Sequence, residues 1–481
     1  MIFTKLDTWK YEQKLEGLLF FSQRLLELSY DKSDYTEKSM SIPIKDVIEE
    51  CLEYIDLEDK GLYSVSKTEM DMLFEEIKDY IRCDSVAKEL LGIKIDYYFA
   101  KLNVDNDNNT IRNILEIIDM KINPDEYYSE LKRVLKEAIV DYNKKDNLIT
   151  LTTQLFKFLI SYGYQKGTIY FLINKCFFDK EKRNKIDSID DVDKFFDYFD
   201  LEFKLFEVVF VASNIYKEID DSCSQLGLEV IEERKPLYNK SLEGKFYRNG
   251  EKKKVYIKVS DVKAVDYQHA MRKASERIGL LSDLFVVFSH RSKPWFSDYC
   301  LVYKHDKENV VKITKQNNTM SSLSENEFSY TKKLFPIFIS RFGLKSDSFQ
   351  RFNRGVELHA HALETDELAS QILNLWICLE ALLITSKTKS HIAKVMDSVG
   401  LINKCYTIRT RISNLRQLLL QWNKEEFLLI KNKLDLSSND DIVVAALVGL
   451  YEYKDIAGEL LSKMQDQPLL RYKFMKLVRE I

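Results

Sequence analysis

Leu368-Ala-Ser-Gln-Ile-Leu-Asn-Leu-Trp-Ile-Cys-Leu-Glu-Ala-Leu-Leu383 sets Leu368, Ile372, Leu375, Trp376, Leu379, Leu382 and Leu383 at intervals of three and four. That spacing reads as a helix with a wide apolar stripe, and such a stripe needs a bundle core to face. Glu380 lies inside it, four after Trp376 and three before Leu383. A carboxylate there is expected to be partly desolvated, with a raised pKa or a cationic partner; an acid that merely ties two helices is the plainer alternative. Arg351-Phe-Asn-Arg-Gly-Val-Glu-Leu-His-Ala-His-Ala-Leu-Glu364 precedes it. As a helix this segment puts Phe352, Val356, His359 and Leu363 on one face, which makes His359 a histidine at the core edge.

Arg354 stands seven residues before His361 and five before His359, so it makes R-x6-H with the first and R-x4-H with the second. An Arg and a His so spaced can bind and polarise a phosphate while the imidazole moves a proton from an attacking 2′-hydroxyl. Arg354 and His361 point the same way on a helix, whereas Arg354 and His359 diverge by about 140°. With six histidines in the chain, on the order of one such match is expected by accident, so spacing alone carries little weight. His359 and His361 as a metal pair are weaker still: positions i and i+2 diverge on a helix and no third ligand is suggested. Neither a metal nor a cofactor is expected.

Outward from these helices, the 481 residues are 45% apolar, 31% charged and 12% aromatic, the composition of a folded chain of two to four domains. Only 14 Gly and 6 Pro leave few turns for a many-stranded protein, so helix should dominate. The net charge of −4 gives the whole molecule no electrostatic reason to seek nucleic acid or anionic lipid, and such binding must be local. No stretch approaches about 18 uninterrupted apolar residues, and the N-terminus shows no targeting pattern, so a cytoplasmic protein with no membrane partner is expected. Seven cysteines, widely spread and without C-x-x-C, suggest reduced buried thiols rather than a disulfide framework.

Residues 1–220 read as an all-helical domain, with leucine-rich segments at Leu15–Leu28 and Leu151–Leu159 and breaks at Asp105–Asn109 and Asn123-Pro124. Between Lys45 and Asp79, twelve acids face four lysines. This is a solvated face in the plain reading, and in the sharper one a surface masking a basic patch at 234–258 or 332–354. Residues 221–318 read as a small α+β module of about five strands and one helix. It comprises a hairpin about Asn249-Gly250, a helix at Lys263–Leu280, a buried strand at Leu284–Phe288, and a second hairpin of Tyr299–Tyr303 with Val310–Ile313. A polar linker from Asn317 to Ser324 leads into a helical remainder, 319–481. Two basic stretches are candidate RNA-binding sites: Arg248, Lys252, Lys253 and Lys254 in the first hairpin, and Lys332, Lys333 and Arg351 later. Edge lysines that block strand addition are the alternative for the hairpin.

The Leu-x-Leu-Trp-x-x-Leu-Glu-x-Leu-Leu core at 373–383, preceded by Arg351-Phe-x-Arg-x-x-Glu-Leu-His and followed by Asn403-Lys-Cys-Tyr-x-x-Arg-x-Arg-Ile, resembles the Apea-like branch of the HEPN superfamily, helical bacterial proteins often linked to phage defence. The resemblance spans about 340–481 and implies a HEPN-like helical bundle for 319–481. It further implies a homodimer acting as a metal-independent ribonuclease, with an Arg-x4–6-His motif in a late helix. That motif is missing here. After Trp376 the only histidine is His391, with no Arg at the required spacing, and Pro468-Leu-Leu-Arg-Tyr resembles the stretch that precedes the motif. A shortened, incomplete bundle is therefore expected.

Two functions follow as expectations. One is an antiphage ribonuclease whose site is completed by Arg354 with His359 or His361, aided by Glu380, or by residues outside these 481. The other is a non-catalytic sensor or scaffold that recognises a phage, host or nucleic-acid component.

Overall fold

The computed structural model describes residues 9, 15–30, 44–64, 66–179, 186–232, 234–247, 254–290, 293–315, 325–343, 346–365, 368–384, 391–434, 436 and 439–481. The protein is mainly helical with one five-stranded sheet, and it divides into two compact units, Met1–Lys315 and Gln316–Ile481.

The first unit begins with α1 (Glu16–Ser29), α2 (Ile44–Asp59), α3 (Lys67–Cys83), α4 (Ser85–Leu91) and α5 (Ile95–Lys101). It continues with α6 (Asn108–Lys121), α7 (Pro124–Val140), α8 (Lys145–Tyr162), α9 (Lys166–Ile173) and α10 (Asp191–Phe196). α1 is buried from Gly17 to Ser29, packed against α7, α8 and α9. Its Arg24 and Glu27 pair with each other at 2.8 Å. The breaks read from sequence are caps: Asp107 accepts from the Thr110 amide to start α6, and Asn123 from the Glu126 amide to start α7, with Pro124 in its first turn. The ion pairs described for the acidic segment 45–79 are local. Asp56 and Asp59 meet Arg112 of α6, and Glu75 meets Lys78 and Arg82, so these acids face their own helical neighbours.

The sheet has the order β2-β3-β1-β4-β5, every pairing antiparallel. Its strands are β1 (Lys204–Ser213), β2 (Leu228–Ile231), β3 (Lys254–Ala264), β4 (Phe296–Lys304) and β5 (Asn309–Thr314); α11 (Ile215–Glu218), α12 (Asp220–Gln225), α13 (Lys240–Tyr247) and α14 (Tyr267–Ser289) intervene. On one face Phe206, Val208, Phe210, Val255, Ile257, Cys300 and Val302 pack with Ala270, Met271, Ala274 and Ile278 of α14. On the other, Val209, Val211, Tyr256, Leu301 and Tyr303 pack with Phe246 and Tyr247 of α13. Alternation along β1 thus feeds two cores.

Several expectations are corrected here. β1 falls inside the stretch read as all-helical, and among the described residues the stretch read as the module holds three α-helices, α12, α13 and α14, rather than one. Among the described residues no strand precedes the expected hairpin turn at Asn249-Gly250: Phe246 and Tyr247 close α13, and β3 pairs with β1 and β2, Ile257 opposite Phe210 and Val230. Asn249 and Gly250 themselves lie outside the described residues. Leu284–Phe288 is not a strand: α14 runs through it to Ser289, leaving Phe288 90% exposed. A short apolar run fits either period. The β4–β5 hairpin is present, Tyr299 opposite Thr314, with Glu308 left-handed at its turn. The polar linker lies outside the described residues. Of Cys405 only its place in the chain is described; the other six cysteines are unbridged, and five of them are buried.

The second unit contains α15 (Glu325–Ser340), α16 (Ser346–Glu364), α17 (Leu368–Leu383), α18 (His391–Trp422), α19 (Lys424–Leu434), α20 (Asp440–Gly449), α21 (Lys454–Lys463) and α22 (Pro468–Glu480). Leu415 and Leu419 of α18 are buried, as are Phe427, Ile430, Val443, Val444, Leu460, Leu469, Leu470 and Phe474 of the helices that follow. Arg416 binds Asp441 at 2.7 Å, and Arg411 pairs with Glu480, tying α18 to α20 and α22. α17 buries its expected stripe only in part: Leu375, Trp376, Leu379 and Leu383 are half-buried, Ile372 is 59% exposed and Leu382 is exposed as well, while Gln371 and Cys378 are the buried residues among the described side chains of this helix.

Candidate functional site

α16 and α17 pack through small residues. The Cys378 thiol lies 3.1 Å from the Gly355 carbonyl, and a Cβ on Gly355 would stand 2.9 Å from the Leu382 Cδ2. The buried face of α16 is therefore Gly355 and Ala362, not the expected Phe352–Val356–His359–Leu363 face; Val356 and His359 are exposed. The small residues win that face because they let the two helices approach.

Arg354, His359 and His361 all point to solvent. α16 is unbroken between them, so Arg354 and His361 lie within about 20° of one another with a rise of about 10 Å, whereas His359 faces about 140° away from Arg354. The aligned pair is Arg354 and His361, and His359 is not brought to Arg354. His361 Nδ1 lies 3.7 Å from a Glu364 carboxylate oxygen. Glu380 is half-buried and sits about 160° round α17 from Cys378 and Leu382, the two residues that meet Gly355, so it faces away from α16. Arg351, expected against phosphate, instead donates from Nε to the Ala381 carbonyl and from Nη2 to the Leu382 carbonyl, both at 3.1 Å, and also to Ile384. It closes the C-terminal end of α17, where unpaired carbonyls favour a cation.

Of the other residues expected to meet RNA, Arg248, Lys252 and Lys253 lie outside the described residues, and of Lys333 only its place in α15 is described. Lys332 is exposed on the same helix. Lys254 opens β3, with Nζ 5.9 Å from the centre of the Trp295 ring.

Sequence reasoning missed a polar network under the outer face of the sheet. Glu243, fully buried at the start of α13, accepts from the backbone amides of Leu237, Tyr238 and Asn239 and from the Tyr303 hydroxyl at 3.0 Å. Tyr303 also meets the Tyr247 hydroxyl at 3.0 Å. Arg234 pairs with Glu207 and lies 4.6 Å over the Tyr303 ring. At the rim, His305 Nδ1 meets the Tyr238 hydroxyl at 2.8 Å, and its Nε2 lies 3.7 Å from Glu207. These residues come from positions 207 to 305 and share no local pattern, so no spacing in the sequence points to them.

Burial alone would raise the Glu243 carboxyl, but the three amides and Tyr303 hold it below the usual carboxylate range. Its stabilisation is present above the unfolded pKa of about 4.3 and is lost as pH falls through the lower folded value. Glu243→Ala leaves buried donors without an acceptor and is expected to cost roughly 3–5 kcal/mol. Hydrogen exchange at the amides of 237–239 should accelerate in this variant; unchanged protection there would show that other acceptors serve them.

Among the described residues, no group of three or more His, Cys, Asp or Glu is placed to hold a metal ion, and no helix is long and apolar enough to cross a membrane. No protein-family model, curated protein or solved structure matches this chain.

Proposed function

We propose that this protein acts on RNA as a defence-type protein of the HEPN kind, a metal-independent ribonuclease with Arg354 and His361 as its reacting pair. The observation that carries this reading is the unbroken α16, which aligns Arg354 with His361 on its open side and sets Glu364 three residues beyond His361. In this reading His361 accepts a proton from a 2′-hydroxyl through Nε2, with Nδ1 turned toward Glu364, 3.7 Å away. The freed oxygen attacks the adjacent phosphorus, the bond to the 5′-oxygen breaks, that oxygen takes a proton from the imidazolium or from solvent water, and a 2′,3′-cyclic phosphate results. Arg354 donates to the phosphate oxygens and offsets the charge that builds there. Because the apolar stripe of α17 is only partly covered, a second copy supplies the opposite wall in a homodimer, with a phage or host protein as trigger.

Labelled single-stranded RNA and tRNA incubated with the full chain in EDTA should yield cyclic-phosphate ends. Arg354→Ala or His361→Ala should slow cleavage about a hundredfold or more, and His359→Ala should leave it unchanged. Intact RNA after incubation with wild-type protein would reject cleavage by this chain. The second reading, a sensor or scaffold that binds without cutting, is favoured by the exposure of Arg354, His359 and His361. It gains if wild-type protein binds RNA and leaves it whole.

A further inference from the structure

At one end of the sheet the antiparallel order gathers the last residue of β1, the first residues of β3 and β4 and the residue after β5: Ser213, Lys254, Phe296 and Lys315. Between the start of β4, Lys315 and α14 lies a cavity of about 290 Å³, lined by Met271, Ser275, Lys293, Trp295, Asp298 and Lys315 among others. The backbone around Trp295 is pinned. Its carbonyl accepts from the Ser213 amide at 3.0 Å, and the preceding Pro294 carbonyl accepts from the buried Tyr216 hydroxyl at 3.2 Å. Yet Trp295 itself is 46% exposed. A rigidly mounted aromatic plate open to solvent gives no core packing on that face and needs no ordering when a flat ligand stacks on it.

The chemistry around the plate is cationic with a few acceptors. Lys254 lies over the ring, and Lys293 and Lys315 line the cavity, with Lys293 paired to Asp283 at 2.6 Å on the exposed side. The Ser275 hydroxyl donates to the Met271 carbonyl at 2.8 Å, which leaves its oxygen as an acceptor, and the exposed Asp298 also lines the cavity. An aromatic face, amines for phosphates and acceptors for an amino-bearing base together describe a nucleotide subsite. The amines come from three separate segments and converge only through the strand pairing.

We infer that this cavity seats one nucleotide of a single-stranded RNA, its base stacked on Trp295 and its flanking phosphates against Lys254, Lys293 and Lys315. The inference rests on RNA being the ligand, as proposed above, but not on cleavage.

The test uses the full chain and a short labelled oligoadenylate. Binding should quench the part of the tryptophan fluorescence that Trp295→Phe removes. Trp295→Ala should weaken affinity roughly fivefold to a hundredfold, the range expected when one base stack is removed, while Trp295→Phe keeps most of it. The combined Lys254→Ala, Lys293→Ala, Lys315→Ala variant should flatten the slope of log affinity against log salt by about 1.4, near 0.7 for each of the two flanking phosphates that no longer meets an amine. This second variant decides the matter should Trp295→Ala unfold at a lower temperature than wild type. Wild-type binding with no Trp295 quench, and with the affinity and salt slope untouched by either change, would overturn the cavity as the site and leave the RNA reading standing. Absence of any oligoadenylate binding by wild-type protein removes the RNA reading, and this inference with it.

Discussion

Gly17→Ala is expected to destabilise the first unit by more than about 3 kcal/mol, although Ala is the better helix former by about 1 kcal/mol. Gly17 sits in α1 where that helix meets α7, and a Cβ there would lie 2.1 Å from the Ile139 carbonyl oxygen and 3.0 Å from its carbon. Backbone atoms of α7 cannot swing aside as a side-chain end can, so either α1 or α7 must shift, and both are held by buried neighbours. The close approach itself brings a Cα–H toward a carbonyl oxygen, a weak attraction that only glycine permits at this range. Urea unfolding followed by far-ultraviolet dichroism reads the change directly. A variant as stable as wild type would mean that α1 and α7 stand further apart than described. Gly355→Ala is the useful contrast: its nearest obstacle is the end of the Leu382 side chain, which can rotate.

Gly163→Ala should have an effect of similar size, about 2–5 kcal/mol, for two combined reasons. Gly163 ends α8 at φ +119°, a conformation that L side chains rarely adopt. A Cβ would also lie 2.2 Å from His269 Cε1 and 2.3 Å from its Nδ1. His269 is buried in the first turn of α14, whose N-terminus Asp266 caps by accepting the His269 amide at 2.6 Å. Burial first, and then Lys273 and Arg272, lower the His269 imidazole to about 4. Between the unfolded value near 6.5 and that folded value, the unfolded chain holds the extra proton. Stability from this group is therefore complete above about pH 6.5 and declines as pH falls toward 4. Burial raises the neighbouring Asp266 carboxyl, which acts in the opposite sense, its contribution falling as pH rises through its folded value. His269→Gln isolates the imidazole: the wild-type decline between pH 6.5 and 4 should shrink in the variant, and equal slopes would count against a buried neutral histidine.

The parts of the fold that could be read along the chain are those decided within one element. Asp107, and Asn123 with Pro124, mark helix starts because a side-chain acceptor and the next few amides settle the matter locally. The β4–β5 hairpin was legible for the same reason. β1 was not, because Val208 to Ala212 are buried on both faces, between α14 and α13, and so show no polar alternation. Leu284–Phe288 misled in the other direction, since an apolar run within a long helix imitates a strand. At the candidate site, the spacing of Arg354 and His361 was legible because a helix converts spacing into direction. That Arg351 lies over the end of α17 was not, because the carbonyls it meets lie thirty or more positions away.

From the order of residues alone it follows that this is a helix-rich chain, that its helices start where their caps stand, and that Arg354 and His361 share a side of α16. Those properties depend on propensity, capping and the helical repeat, all set by near neighbours. The tertiary structure decided which face each helix buries, which strands pair, and that Trp295 stands exposed among lysines from three separate segments. Burial and pairing are relations between distant surfaces. α16 turns Gly355 and Ala362 inward because α17 can approach there, a fact no periodicity within α16 contains.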